Sequence, residues 1–217
     1  VYGMSAITSL TAQNTLGVQH VYPQSVEAVR EQIASVVTDI GVDAVKTGML
    51  FSEEIIAAVA DQIRHYRLRN VVVDPVMIAK EQAITALREY MIPVAKLITP
   101  NLPEAARLVH ADRIETIGEM KEAAKRLHDI GAENVLIKGG HLDEQYKAVD
   151  LLYDGIRFTT FEEERIATKH THGTGCTYSA AIAAELAKGQ TLDEAVKEAK
   201  QYITIAIKHS LAIGAGI

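Results

Sequence analysis

The sequence predicts an α/β protein built on a largely parallel sheet with a small antiparallel edge, and three observations carry that prediction. Short runs rich in Val, Ile and Leu alternate with longer segments of helical period. Between Leu151-Leu152-Tyr153 and Ile156-Arg157-Phe158 stands Asp154-Gly155, the signal of a β-hairpin, which places an antiparallel pair at the sheet's edge. No internal repeat, low-complexity tract or Pro/Gly/Ser-rich linker divides the 217 residues, of which 48% are hydrophobic, so residues 1–217 read as one fairly large domain with a sizeable core.

Taken in order, Met4–Thr11 is the first candidate strand. Ser25–Ile40 follows as an amphipathic helix with Val29, Ile33, Val36, Val37 and Ile40 on one face. Strand Ala44–Lys46 leads to helix Ser52–Tyr66, whose face carries Ile55, Ile56, Val59 and Ile63. After strand Val71–Asp74 the chain passes through Met77-Ile78-Ala79-Lys80-Glu81 into a helix over Gln82–Met91. That junction has no turn chemistry of its own, so a loop near 80–81 is expected to be absent. Strand Leu97–Thr99 meets Asn101 and Glu104 in N-cap to N3 spacing, with Pro103 in the first turn. Thr116/Glu119 and Thr191/Glu194 are capping boxes for two more helices, the second running to about His209, and Val135–Lys138 is a further strand.

Charge and cysteine usage narrow the function. With 22 basic against 28 acidic residues, a formal charge of −6 argues against nucleic acid or an anionic membrane as a general partner. One cysteine excludes an intrachain disulfide framework and a multi-cysteine metal site, and fits a reducing, cytoplasmic setting. No apolar run approaches the ~20 residues that cross a bilayer. The start, Val1-Tyr2-Gly3-Met4, has no basic n-region or initiator methionine, so the chain is expected to begin partway into a protein.

In parallel α/β sheets ligands bind beyond the carboxyl ends of the strands, and four such endings are polar. Asp74-Pro75-Val76-Met77 offers a carboxylate that suits Mg²⁺ or, equally, caps a strand exit. Asn101 and Glu104 fit a helix cap; alternatively Glu104 joins Asp74 on a metal. Lys138-Gly139-Gly140-His141 gives a cation and close backbone approach for phosphate, or a structural Gly-Gly turn. The fourth is Thr171-His172-Gly173-Thr174-Gly175-Cys176, a glycine-rich turn that opens a helix. Backbone N–H groups and the positive end of the helix dipole attract an anion there, and a helix N-terminus lowers a thiol's pKa. The bland alternative is a small-residue helix start with a buried thiol. Gln13, in Thr11-Ala12-Gln13-Asn14-Thr15, suits hydrogen bonding to a neutral ring, or is a solvated loop residue. The remaining histidines lack metal-ligand spacing.

Together TAQNT at 11–15, VDPVM at 73–77, TPNLPEA at 99–105, KGGH at 138–141 and HGTGCT at 172–177 resemble, in order and spacing over essentially the whole chain, the hydroxymethylpyrimidine/phosphomethylpyrimidine kinases of thiamine biosynthesis. That resemblance implies a three-layer α/β/α ribokinase-like domain and two successive ATP-dependent phosphorylations, of a hydroxymethylpyrimidine and then of its monophosphate. It implies that Gln13 binds the aminopyrimidine and that Val76 and Met77 lie on the substrate side. Asp74 and Glu104 would organise Mg²⁺, with Asn101, Lys138, Gly139, Gly140 and His172 along the ATP phosphates. Gly173, Thr174, Gly175 and Cys176 would form the anion hole at the γ-phosphoryl group, with Cys176, partly ionised, as base. A homodimer is implied as well. Two family features are missing from the chain as it stands: an opening strand with a GSDSGGGAG-like segment, and a loop after VDPVM that covers the site. A pyridoxal or pyridoxine kinase of the same group is the nearest rival, because relatives there also carry a GTGC cysteine; a non-catalytic pyrimidine binder is the second.

Overall fold

The computed structural model describes residues 1–76, 81–140, 147–166, 168, 173–211 and 214. It opens on a hairpin, β1 (Ser9–Asn14) antiparallel to β2 (Gly17–Pro23), which forms a two-stranded sheet of its own. The expectation of a strand over Met4–Thr11 is corrected by this: the strand lies further on and has a partner. Both strands are exposed at nearly every position, so neither carries the apolar alternation of a half-buried strand. Asn14 Oδ1 accepts the Leu16 N–H, and Gly17 closes the turn at φ 139°.

Helix α1 (Val26–Asp39) starts where Ser25 Oγ accepts the Ala28 N–H. Of its apolar face only Val29 is fully buried, and Ile40 is 56% exposed, because α1 leans chiefly on the next helix at the margin of the layer. β3 (Val45–Thr47) leads to α2 (Glu53–His65), capped by Ser52, and β4 (Val71–Val73) follows. The helix expected over Gln82–Met91 is α3 (Glu81–Ala86) continued by a π turn (Leu87–Met91) and a 3₁₀ turn (Ile92–Val94), where Pro93 ends it. Next come β5 (Leu97–Ile98), α4 (Leu102–Leu108), α5 (Ile117–Ile130), β6 (Val135–Gly139), β7 (Lys147–Tyr153) and β8 (Phe158–Glu164). α6 (Thr174–Ala187) and α7 (Leu192–Lys208) complete the chain. The three expected capping boxes, at Asn101/Glu104, Thr116/Glu119 and Thr191/Glu194, are all formed.

Six strands make the main sheet in the order β3-β4-β5-β6-β7-β8. The first four are parallel, and β7 and β8 are antiparallel, joined by the Asp154-Gly155 turn that the sequence predicts. Strand side chains alternate between faces, and the core divides accordingly. Val71, Val73, Ile98, Val135, Ile137 and Leu151 pack with α1 to α5, whereas Val72, Leu97, Leu136 and Leu152 pack with α6 and α7. The result is the three-layer α/β/α fold with a mostly parallel sheet. Among the described residues no helix is long and apolar enough to cross a membrane.

Candidate active site

The alternation that sorts the core also sorts the polar groups. Asp74 lies two residues beyond Val72, Lys138 two beyond Leu136 and Asp150 two before Leu152, so all three fall on the α6/α7 face. Lys46 shares that face, being the register partner of Val72. Asp74 is the centre of the group and is 2% exposed. Its backbone N–H continues the ladder to the Thr47 carbonyl at 3.0 Å. Lys138 Nζ donates to Asp74 Oδ1 at 2.9 Å, and Lys46 Nζ stands 3.5 Å from Oδ2. The attraction of two flanking cations offsets part of the desolvation cost of the buried Asp74 charge.

Nothing in the sequence reading singled out Lys46. Its signal was the one applied to Lys138, a lysine at the end of a short apolar strand. Gly48 gives it room, since a Cβ there would come within 3.0 Å of Lys46 Nζ.

Asn101 and Glu104 form a reciprocal cap: Glu104 Oε2 accepts the Asn101 N–H at 2.8 Å, and Asn101 Oδ1 accepts the Glu104 N–H at 2.9 Å. The capping role expected of them is therefore present. Glu104 is also electrically part of the site. Burial raises its pKa above the ordinary 4.5, the Asn101 N–H and Lys138 oppose the rise, and Asp74 adds to it. Asp74 Oδ2 and Thr47 Oγ1 are buried without hydrogen-bond partners. A carboxylate oxygen that has an ion-pair partner but no hydrogen bond, with a second, desolvated carboxylate in the same electrostatic neighbourhood, suits a hard cation such as Mg²⁺, which takes one or two protein oxygens and completes its shell with water and phosphate.

α6 begins at Gly173, in the left-handed region at φ 80°, and this N-cap residue has no side chain to cap it, unlike those of α1, α2, α4, α5 and α7. Thr174 and Gly175 are its first residues, with Cys176 next. The helix is tied to the sheet by the Thr99 and Ser179 hydroxyls, 2.8 Å apart. A Cβ on Gly175 would lie 3.1 Å from Lys138 Nζ, so this glycine lets the helix start close over the lysine.

Cys176 is free and exposed as a residue, yet its thiol is partly desolvated by the groups around it and is not acidified. The expectation of a lowered pKa and partial ionisation is corrected: burial of the sulfur raises the pKa above its ordinary 9.0, and the Asp74 charge adds to the rise. Lys46 and Lys138 pull the other way, and the larger opposing effects leave the thiol protonated at neutral pH.

The remaining expected residues are placed as follows. Lys138 and Gly139 end β6, with Asn101 bridged to Lys138 across the strand ends; Gly140 follows in open space. Val76 lines a cavity of about 10 Å³ with Gly48, Leu50, Phe51, Ile84 and Leu87, room for about one water. Gln13 is exposed on β1, at the register irregularity between Ala12 and Gln13. Met77, Lys80, His141 and His172 lie outside the described residues. The structure thus gathers Asp74, Glu104, Lys138, Gly175 and Cys176 with Lys46, and sets Gln13 on the separate hairpin sheet.

Comparison with known proteins identifies the family and the fold. The family model for phosphomethylpyrimidine kinase matches residues 1–217. The chain is 50% identical over 222 residues to the thiamine biosynthesis bifunctional protein ThiED of Geobacter sulfurreducens, covering 99% of this chain but 45% of that protein. It is 46% identical over 223 residues to the hydroxymethylpyrimidine/phosphomethylpyrimidine kinase of Bacillus subtilis, covering 100% of this chain and 82% of the relative. The chain thus spans under half the length of the bifunctional relative and about four fifths of the kinase. An ADP complex of Bacillus subtilis pyridoxal kinase superposes with a TM-score of 0.93 at 45% identity, covering 99% of this chain and 84% of that one. A matched sequence over every residue, the shared three-layer fold and a lysine-flanked aspartate under a glycine-opened helix lead to one assignment: the chain belongs to the phosphomethylpyrimidine kinase family.

Proposed function

We propose that this chain carries out the ATP-dependent phosphorylation of 4-amino-5-hydroxymethyl-2-methylpyrimidine and then of its monophosphate, giving the diphosphate used in thiamine biosynthesis. The observation that carries the reading is the cluster of Lys46, Asp74 and Lys138 against the uncapped start of α6, on a chain of this kinase family. Phosphoryl transfer asks mainly for positioning and charge neutralisation, and two lysines, two carboxylates and a helix N-terminus at one strand edge supply both.

In this reading Lys138, with Gly139 and Gly140, lies along the nucleotide phosphates beside Asn101, and His172 is a further ATP-binding residue. Asp74 and Glu104 hold Mg²⁺, which when bound neutralises phosphate oxygens. The backbone of Gly173, Thr174, Gly175 and Cys176 receives the γ-phosphoryl group. Gln13, Val76 and Met77 form the pyrimidine side. Cys176, in the minor thiolate fraction that its raised pKa leaves at neutral pH, accepts the hydroxymethyl proton while that oxygen bonds to the γ-phosphorus and the bond from γ-phosphorus to the bridging oxygen breaks, releasing ADP. The monophosphate is already anionic and needs no base. Lys46, 3.5 Å from Asp74 Oδ2, is a second cation available to phosphate charge in this reading.

The reading extends to a single domain, a cytoplasmic location and a homodimer. Support for the dimer comes from the β1–β2 sheet, which leaves Leu10, Val18 and Tyr22 more than half exposed. Two-stranded sheets are marginal alone and gain from a covering partner.

Pyridoxal phosphorylation is the second reading, favoured by the TM-score of 0.93 to a pyridoxal kinase. Turnover of hydroxymethylpyrimidine, its monophosphate and pyridoxal with ATP and Mg²⁺ separates the two. Phosphorylation of the monophosphate supports the first reading, and turnover of pyridoxal alone replaces it with the second.

A further inference from the structure

A second lysine–aspartate pair lies behind the site, and the mechanism above does not use it. Asp150 on β7 and Lys200 on α7 are 3% and 7% exposed, with Nζ 2.6 Å from Oδ2. Lys200 Nζ also donates to the Ala148 carbonyl at 3.2 Å. The other oxygen, Asp150 Oδ1, accepts the backbone N–H of Gly139 at 3.0 Å. Gly139 is the residue after Lys138, and Asp150 is the direct cross-strand partner of Lys138.

Two consequences follow from that register. Directly opposed residues of an antiparallel pair project to the same face, so the Asp150 carboxylate shares the face of Lys138 on the neighbouring strand. Lys200 occupies it. Lys138 is thereby left to pair with Asp74 at 2.9 Å, on the side where α6 begins. At the same time the bond to Gly139 fixes the peptide that joins Lys138 to the glycine pair. The strand end is therefore held from behind by a neutralised carboxylate, with its cation aimed forward.

We propose that Asp150, held by Lys200, is a positioning residue for nucleotide binding, fixing the Lys138-Gly139-Gly140 strand end so that Lys138 meets Asp74 and the nucleotide phosphates. The proposal rests on the reading of Lys138 as the phosphate cation. Tyr178 on α6 completes the surroundings: its ring lies 6.0 Å from Lys200 Nζ, and its buried hydroxyl has a pKa driven well above 10, first by burial and then by the charge of Asp150. The Asp150 carboxylate has no other cation within ion-pair distance among the described residues, so Lys200 is its neutralising partner.

The test compares two charge-neutral double variants. Asp150→Asn with Lys200→Met keeps an oxygen to accept the Gly139 N–H, whereas Asp150→Leu with Lys200→Met removes it, and neither leaves a buried unpaired charge. Titration calorimetry of wild type and both variants with the non-hydrolysable ATP analogue AMP-PCP and Mg²⁺ reads nucleotide affinity, with hydroxymethylpyrimidine affinity and the far-UV spectrum measured alongside. The Asn/Met protein binds the nucleotide within about threefold of wild type, and the Leu/Met protein binds it at least about tenfold more weakly, with pyrimidine affinity unchanged in both. Equal nucleotide affinity in the two variants overturns the positioning role. So does a parallel loss of nucleotide and pyrimidine affinity, the mark of a merely structural pair. If the Leu/Met protein does not fold, Lys200→Arg gives the second reading: it keeps the pair and retains nucleotide affinity within about threefold, and a tenfold loss there with native spectrum overturns the proposal. Wild type that binds no nucleotide overturns the kinase reading itself, a result distinct from all of these.

Discussion

Asp74 is the residue on which the site turns: it is buried, it faces Lys46 and Lys138, and one of its oxygens lacks a hydrogen-bond partner. Its neighbour Glu104 illustrates how function sets stability aside. Burial raises the Glu104 pKa above 4.5, so the folded state disfavours the carboxylate, and stability is lost as pH rises from the unfolded pKa through the folded one. Glu104→Gln keeps an oxygen for the Asn101 N–H. It should melt at or above the wild-type temperature at pH 7 without nucleotide or Mg²⁺, while turnover falls at least about tenfold; unchanged turnover would remove Glu104 from the site. For Cys176, the structure reversed the sign of the expected shift. The helix N-terminus alone suggested acidification, but burial and Asp74 raise the pKa against the pull of Lys46 and Lys138, and neither can be read from a motif because both depend on which strand ends lie beneath the helix. Cys176→Ala should cost the first phosphorylation about 10²-fold and the second less than about tenfold. In wild type the first step should quicken as pH rises toward and past 9, where the thiolate gains population, with the second step flat over that range. Equal losses in both steps would exclude the base role.

Among the elements, the most legible were those fixed by local chemistry. Ser25, Ser52, Thr116 and Thr191 each accept from the first turn of the helix they open, so the starts of α1, α2, α5 and α7 could be read from one or two residues. Glu119 shows the strength of such a start. The Glu115 and Thr116 N–H groups hold its pKa below 4.5, so the stability it confers is present above the unfolded pKa and lost as pH falls through the folded value. Glu119→Gln should lower the melting temperature at pH 7 and flatten its fall below pH 4.5, and a melting curve with the wild-type pH dependence would contradict this. What was not legible depends on register or on exposure. The β1–β2 hairpin is exposed on both faces, and without a buried face the strand leaves no alternation in its sequence. Asp150 and Lys200 are 50 residues apart and meet because β7 runs antiparallel to β6 while α7 crosses over it. No spacing rule joins them.

At the scale of the molecule, the alternating apolar and helical segments foretold an α/β fold on a largely parallel sheet, the family resemblance implied its three layers, and the alternation of side chains within the strands explains why the charged groups collect on the α6/α7 side of the sheet. Among the described residues the β1–β2 hairpin is one of the apolar surfaces left uncovered. The hairpin carries Leu10 at 56% and Tyr22 at 58% exposure, and the proposed dimer would cover it. Sedimentation velocity should give the mass of two chains, and Leu10→Asp with Tyr22→Asp should shift it to one; an unchanged dimer would place the interface elsewhere. The central claim concerns chemistry, and the monophosphate tests it most directly, because a pyridoxal kinase acting on its own substrate has no second phosphate to add. Incubation of the chain with ATP, Mg²⁺ and hydroxymethylpyrimidine monophosphate should yield ADP and the pyrimidine diphosphate in equal amounts. Phosphorylation of pyridoxal with none of the monophosphate would contradict the account.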